Sequence, residues 1–373
     1  MKCLMIALLF TSLALAQRHK LPATLNTETP EGQLIQQIGQ EPDEAKKMEL
    51  LAQFAEKFPA HEAMPWVLMQ LQTGYLKQNQ FDKALDAGEK LLKLDPMDVE
   101  VSHQNLKAAE GKKDPSLVTK WSAETAQIAE KVMASPQPKE EDEVDEWKRQ
   151  VEFAKQVVAY TEYSLYAAAL QTQEPRQQAG LIEALEQRNP KSQYLAQAEP
   201  VLFAAYLRMN DVPKAVAVAE KVLARDQSNE DMLLVVAGAY LDKKADPQKV
   251  LAYTSKVIEL VNSKPMPQGA SEADWDRRKA QLTARAYWIQ GKQYFNQNKL
   301  KDADKALRQA LPLMQDQNLK ADTLFHLGLV NYRMENILDA VKFNEQCAAI
   351  KSPYQAAAQK NLRAIRAQYR EVR

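Results

Sequence analysis

Glycine is scarce, at 10 of 373 residues, less than half the share of about 7% in an ordinary chain. That shortage argues against sandwiches, barrels and phosphate-cradling α/β enzymes, whose turns and loops are built on glycine. Cysteine is scarcer, with only Cys3 and Cys347. Neither sign of charge is in surplus, at 49 basic and 49 acidic residues, so the global field expected of a nucleic-acid binder is missing. Long apolar runs are missing beyond the first residues. Residues 157–170 come nearest, and Glu162 interrupts them, so no later stretch reads as a bilayer span. What fills the chain is Ala, Leu, Gln, Glu and Lys, all good helix formers. With 45% hydrophobic residues it can bury a large interior. The expected fold class is all-α.

The first residues read as a targeting segment. Lys2 precedes an apolar run over 3–16, broken only by Thr11 and Ser12 and ending Ala14-Leu15-Ala16. A charged start, an apolar centre and an A-x-A site predict a secretory signal peptide cut after Ala16, too short to be retained as an anchor. The mature chain would then be periplasmic or secreted, without a membrane span. Cys347 would be its sole cysteine, so no internal disulfide is expected.

A period appears next. Tyr206 and Tyr240 lie 34 residues apart, and Gly291 and Gly328 lie 37 apart. Within the units, Tyr75 to Ala84, Tyr206 to Ala215, Tyr294 to Ala303 and Asn331 to Ala340 each span nine residues. A polar turn followed by one apolar residue lies between the markers, as in Gln78-Asn79-Gln80-Phe81. This pattern predicts two antiparallel helices joined by a tight turn, with the small Ala where they cross most closely. A single such pair cannot bury its apolar face, so the pairs must stack.

These residues resemble the tetratricopeptide repeat (TPR) family, whose pattern is W-x2-L-G-x2-Y, then A-x3-F, then P. The best matches are Tyr287-x2-Gln290-Gly291-x2-Tyr294 with Ala303-x3-Leu307, and Leu324-x2-Leu327-Gly328-x2-Asn331 with Ala340. A third is Leu68-x2-Leu71-x3-Tyr75 with Phe81, Ala84 and Asp95-Pro96. A fourth is Leu202 and Tyr206 with Val212 and Ala215-x3-Ala219, and the Tyr240 unit is a fifth. The resemblance implies an α-solenoid of antiparallel helix pairs, with Gly291 and Gly328 at the family's close-packing position and Gly238 in the equivalent first helix of another unit. The chain divides into the signal peptide at 1–16, N-terminal repeats at 17–134, and a Pro/acidic linker at 135–146. Central repeats at 147–263, a loop at 264–275, C-terminal repeats at 276–354 and a capping helix at 355–373 follow.

Two charged features carry alternative readings. The run Glu140-Glu141-Asp142-Glu143-Val144-Asp145-Glu146 suits either an acidic docking site or a helix start favoured by the dipole, and the helix start is preferred. In the last segment Leu362, Ile365, Tyr369 and Val372 share one face, and Arg363, Arg366, Arg370 and Arg373 share another. That is the pattern of a cap covering the final repeat, with an anionic partner as the alternative for the arginines.

The catalytic inventory is thin. His19, His61, His103 and His326 show no metal-ligand spacing, and His19 sits in an expected flexible N-terminus. No nucleophile elbow, phosphate loop or cysteine pair occurs. Cys347 lies seven residues after Ala340, a small-residue position, so packing explains it better than nucleophilic chemistry. No cofactor, metal or catalytic residue is therefore assigned, and the chain is expected not to be an enzyme.

The TPR resemblance implies a concave groove lined from the first helix of each unit. By register, it holds Trp66, Met69, Thr73, Leu76 and Lys77; Tyr160, Tyr163 and Ala167; and Ala204, Leu207 and Arg208. Further along it holds Leu234, Leu241 and Asp242; Trp288, Lys292, Phe295 and Asn296; and Phe325, Leu329, Tyr332 and Arg333. Aromatics at so many places favour an apolar or mixed ligand surface. Family members that hold acidic tails use Lys, Asn and Arg there, and these places are largely apolar, which argues against that ligand. The expectation is a protein-binding scaffold with a protein or peptide partner and no nucleic acid. The alternatives are a self-oligomerising envelope-assembly component and an enzyme dependent on Cys347.

Overall fold

The computed structural model describes residues 18–22 and 26–369, except for the side chain of Asp142. The expected signal peptide lies outside the described residues, as do Arg370, Val372 and Arg373 of the terminal stripe. Among the described residues the structure is helical and contains no strand. The chain forms two compact units, one up to Ala205 and one from Tyr206.

In the first unit, successive helices pair in antiparallel fashion because short polar turns join them. The helices are α1 (Pro30–Gln40), α2 (Glu44–Lys57), α3 (Met64–Lys77), α4 (Phe81–Leu94), α5 (Val99–Lys112), α6 (Pro115–Met133), α7 (Glu141–Gln171) and α8 (Pro175–Arg188). The helix α9 (Leu195–Arg208) starts in this unit. Ile38, Leu51, Phe54, Val67 and Leu91 form a core across α1–α4. α7 begins inside the acidic run at Glu141, with Glu140 at its cap. Glu146 ion-pairs with Arg149 at 2.7 Å, so the run behaves as a solvated helix start.

The second unit continues with α10 (Val212–Leu223), α11 (Glu230–Asp242), α12 (Pro247–Ser263), α13 (Glu272–Asn296), α14 (Leu300–Ala310), α15 (Gln317–Arg333), α16 (Ile337–Ala348) and α17 (Gln355–Gln368). Ser271 caps α13 by accepting from the Asp274 N–H, so the expected loop ends in a capped helix. α17 is a cap: Leu362 and Ile365 bury against Ala340 and Val341 of α16, while Arg366 reaches solvent and pairs with Glu345.

The turns explain why the pairs form. Gln80, Asp211, Ala245, Lys299 and Asn336 each donate a backbone N–H to the carbonyl five residues back, at 2.8–2.9 Å. The residue before each donor is left-handed: Asn79, Asn210, Lys244, Asn298 and Glu335. Asp114 after Lys113 repeats the arrangement at 3.4 Å. This is the Schellman stop, which satisfies carbonyls that the helix end would orphan. Asn tolerates the left-handed conformation better than most residues with a side chain. The crossing alanines Ala84, Ala215, Ala303 and Ala340 are all fully buried. A Cβ on Gly291 would sit 2.5 Å from the Leu307 side chain, and one on Gly328 would sit 2.3 Å from Asn344. Gly238 does not share that role: a Cβ there meets nothing within 4 Å.

Candidate functional site

In the second unit, the expected groove residues converge on a carboxylate missing from the expectation. Trp288 and Lys292 are four apart on α13 and therefore share a face. Trp288 Nε1 donates to Asp322 Oδ2 at 3.1 Å, and Lys292 Nζ donates to the same oxygen at 3.0 Å. The ammonium also lies 4.7 Å over the indole. On α15, His326 follows Asp322 by one turn, and its Nδ1 lies 2.6 Å from Asp322 Oδ1. Asp322 is buried. Burial alone pushes its carboxyl up, but the bonds and charges of His326 and Lys292 outweigh that and hold it below the usual carboxylate range.

Aromatic rings surround this centre. The His326 ring meets Phe295 and Phe325 edge-on, each at 5.7 Å, and Phe325 packs on Tyr354 at 5.4 Å. The Arg333 guanidinium covers Phe295 at 4.5 Å. Tyr332 is 37% exposed, and its hydroxyl donates to Gln368 in α17. Lys292 is neutralised by Asp322, which leaves a mixed aromatic surface rather than a carboxylate clamp. Asp322 and His326 were missed in the sequence, although Asp322 stands 34 residues after Trp288, one repeat period.

The first unit builds its site differently. Tyr160 on α7 donates its hydroxyl to Glu110 Oε2 at 2.8 Å and meets the His103 ring edge-on at 4.8 Å. Tyr163 follows at 6.1 Å, Tyr194 lies 5.9 Å beyond it, and Tyr166 stacks on Tyr194 at 5.3 Å. Burial pushes the His103 imidazole down to about 3, so it stays neutral near pH 7. Burial, then the Glu110 charge, raises the Tyr160 phenol. Tyr160, Tyr163 and Ala167 line a cavity of about 520 Å³ with Glu110 and Ser164. Glu110, His103, Ser164, Tyr166 and Tyr194 lay outside the expected groove; Glu110, His103 and Tyr194 belong to other parts of the chain, and only packing brings them to α7.

The remaining expected positions divide by burial. Met69 is 7% exposed, Leu234 2% and Leu241 5%. These three are core, not groove: α3 and α11 each pack against neighbours on more than one side, and these residues fill those contacts. Trp66 is half-buried against the α1–α4 core, and Leu76 and Leu329 are half-buried. Thr73 donates to Gln104 at 3.4 Å. Lys77, Ala204, Leu207, Arg208, Asp242 and Asn296 are exposed. Cys347 is fully buried, donates to the Ala321 carbonyl at 3.3 Å, and burial pushes its thiol up to about 11. Burial of this kind suits a packing role for the side chain.

His19 corrects an expectation of flexibility. Its Nε2 lies 2.7 Å from Asp98 Oδ2 and 3.8 Å from Asp95 Oδ2. His19, Asp95 and Asp98 place ligand atoms within 4.8 Å of one another, a spacing able to hold a metal ion. Arg18 donates to both Asp95 oxygens, at 2.6 and 2.9 Å, and Asp98 Oδ1 caps α5 through Val101 N–H. With the oxygens so engaged, the trio serves to tie the N-terminal segment to α5.

No protein-family model and no curated protein matches the chain. Among solved structures, it is similar to the APC/C hetero-tetramer Cut9-Hcn1, at 13% identity and a TM-score of 0.37, over 90% of this chain and 62% of that one. The P58(IPK) TPR domain gives 13% identity and 0.29, over 92% and 99%. NprR in complex with its cognate peptide NprX gives 14% and 0.32, over 82% and 84%. At such identities and scores, these proteins inform neither the partner nor the activity of this chain.

Proposed function

We propose that this chain is a non-enzymatic, protein-binding scaffold of TPR-like repeats, exported by its first 16 residues to the periplasm or the cell exterior. A partner peptide or helix docks along the first helices of the repeats, and no covalent chemistry takes place. The observation that carries this reading is the recurrence of partly exposed rings beside preorganised polar groups in both units. Tyr163 stands 44% exposed beside Tyr160, and Tyr332 stands 37% exposed with its hydroxyl held by Gln368. Such rings bury large area at little entropic cost, which makes them anchors of interfaces.

Cross-linked capture from an envelope extract tests it. The purified protein is expected to retain a specific partner, and Tyr163→Ala and Tyr332→Ala are expected to weaken that capture while the helical circular dichroism stays unchanged. Equal capture by the wild type and both variants overturns the reading.

A further inference from the structure

The cavity between α5, α6, α7 and α8 holds a polar atom that the protein leaves unanswered. Ser164 is 2% exposed and lines the cavity. Its Oγ is buried and has no hydrogen-bond partner among the described residues. Buried hydroxyls are almost always partnered, so an orphan in a cavity wall points to a group supplied from outside.

The other walls define the chemistry of that group. Glu110 receives a phenolic hydrogen bond from Tyr160 and is half-buried, and no salt bridge to it occurs among the described residues. The other charged residues lining the cavity are Lys113 and Glu174, both exposed and opposite in sign. Tyr160 and Tyr163 add ring faces, whose quadrupole attracts cations. The small Ala167 leaves the volume open, and about 520 Å³ is ample for a long side chain.

We infer that this cavity receives a cationic side chain, arginine or lysine, from a bound peptide. Glu110 is the counter-ion, the Tyr160 and Tyr163 rings flank the cation, and Ser164 Oγ accepts one of its N–H bonds. A guanidinium suits the site best, since it offers five donors and stacks on aromatic faces. This deepens the scaffold reading and rests on it: it names what one pocket of the inner helix face selects.

The test uses the full chain and N-acetylated, C-amidated pentapeptides with glycine at every position but the centre. The central residue is arginine, lysine, norleucine or glutamate, and binding is read by saturation-transfer NMR, with maltotriose as a sugar control. The arginine peptide is expected to bind at least about tenfold more tightly than the norleucine and glutamate peptides, and less tightly as salt rises. Glu110→Gln keeps an acceptor for Tyr160 and is expected to remove the preference for arginine; Ser164→Ala is expected to reduce affinity while leaving the helical content unchanged. Equal binding of the norleucine peptide, binding of maltotriose at the same cavity, or full affinity in Glu110→Gln overturns the inference. If the arginine peptide fails to bind but Tyr163→Ala still abolishes capture of the partner, the cation assignment falls and the scaffold stands. If capture is also insensitive to Tyr163, both fall.

Discussion

Each unit sets a histidine against aromatic rings but surrounds it with different partners. In the first, His103 has ring neighbours at Tyr160 and Phe153, and burial keeps it uncharged. The acid of that site, Glu110, engages a phenol. In the second, His326 and Lys292 both address the buried Asp322, and the carboxylate is held ionised. The turns and crossing alanines are the same in both units. The difference shows that a repeat scaffold leaves the charge state of its inner face open, to be set by whichever residue stands one helix away.

Asp322→Ala is expected to be the most damaging change. It leaves Trp288 Nε1 and the Lys292 ammonium without their acceptor, and removing one partner of a buried pair is far costlier than never having built it. The loss should be about 3 kcal/mol, measured by urea unfolding at pH 7. A loss below about 1 kcal/mol, the worth of an exposed ion pair, would make the second unit's polar centre superficial and erase the contrast.

The pH dependence separates the units by window. The folded His103 value, about 3, lies below an unfolded value of about 6.5. Its contribution is therefore fully present above pH 6.5 and is lost as pH falls from there toward 3. Asp322, lowered from an ordinary value near 3.8, loses its contribution only in more acid solution, as pH falls through its depressed folded value. Between pH 7.5 and 5.0 the wild type should lose about 2 kcal/mol more than His103→Leu. Identical losses in wild type and variant would mean that His103 charges freely when folded.

The smallest effect tests what the units share. Lys113 in the first unit and Glu335 in the second hold the left-handed stop with ordinary side chains. Lys113→Gly and Glu335→Gly should each add about 0.5 kcal/mol, read as a higher thermal midpoint. Asn298→Gly should change little. Unequal gains at Lys113 and Glu335 would show that the turns are not interchangeable.

Much of the architecture was legible because it depends on near neighbours in the chain. The nine-residue spacing from Tyr75, Tyr206, Tyr294 and Asn331 placed each turn and each buried alanine correctly. The turn bonds run over five residues, and the crossing needs only a small side chain at one position. The site was legible in part: Trp288, Lys292, Phe295, Phe325 and Arg333 do come together, and Tyr160 and Tyr163 do line a cavity. Met69, Leu234 and Leu241 went to the core because register alone cannot say how many neighbours a helix has.

By itself, the sequence determined helix pairs, their stops and their close-contact alanines, since hydrogen bonds and packing within one hairpin decide them. Only the tertiary structure decided that Asp322 draws Trp288 and Lys292 together, that His103 stays neutral, and that Ser164 faces a cavity unpartnered. These are properties of dielectric and distance between helices, and no local pattern encodes which side chains share a buried space.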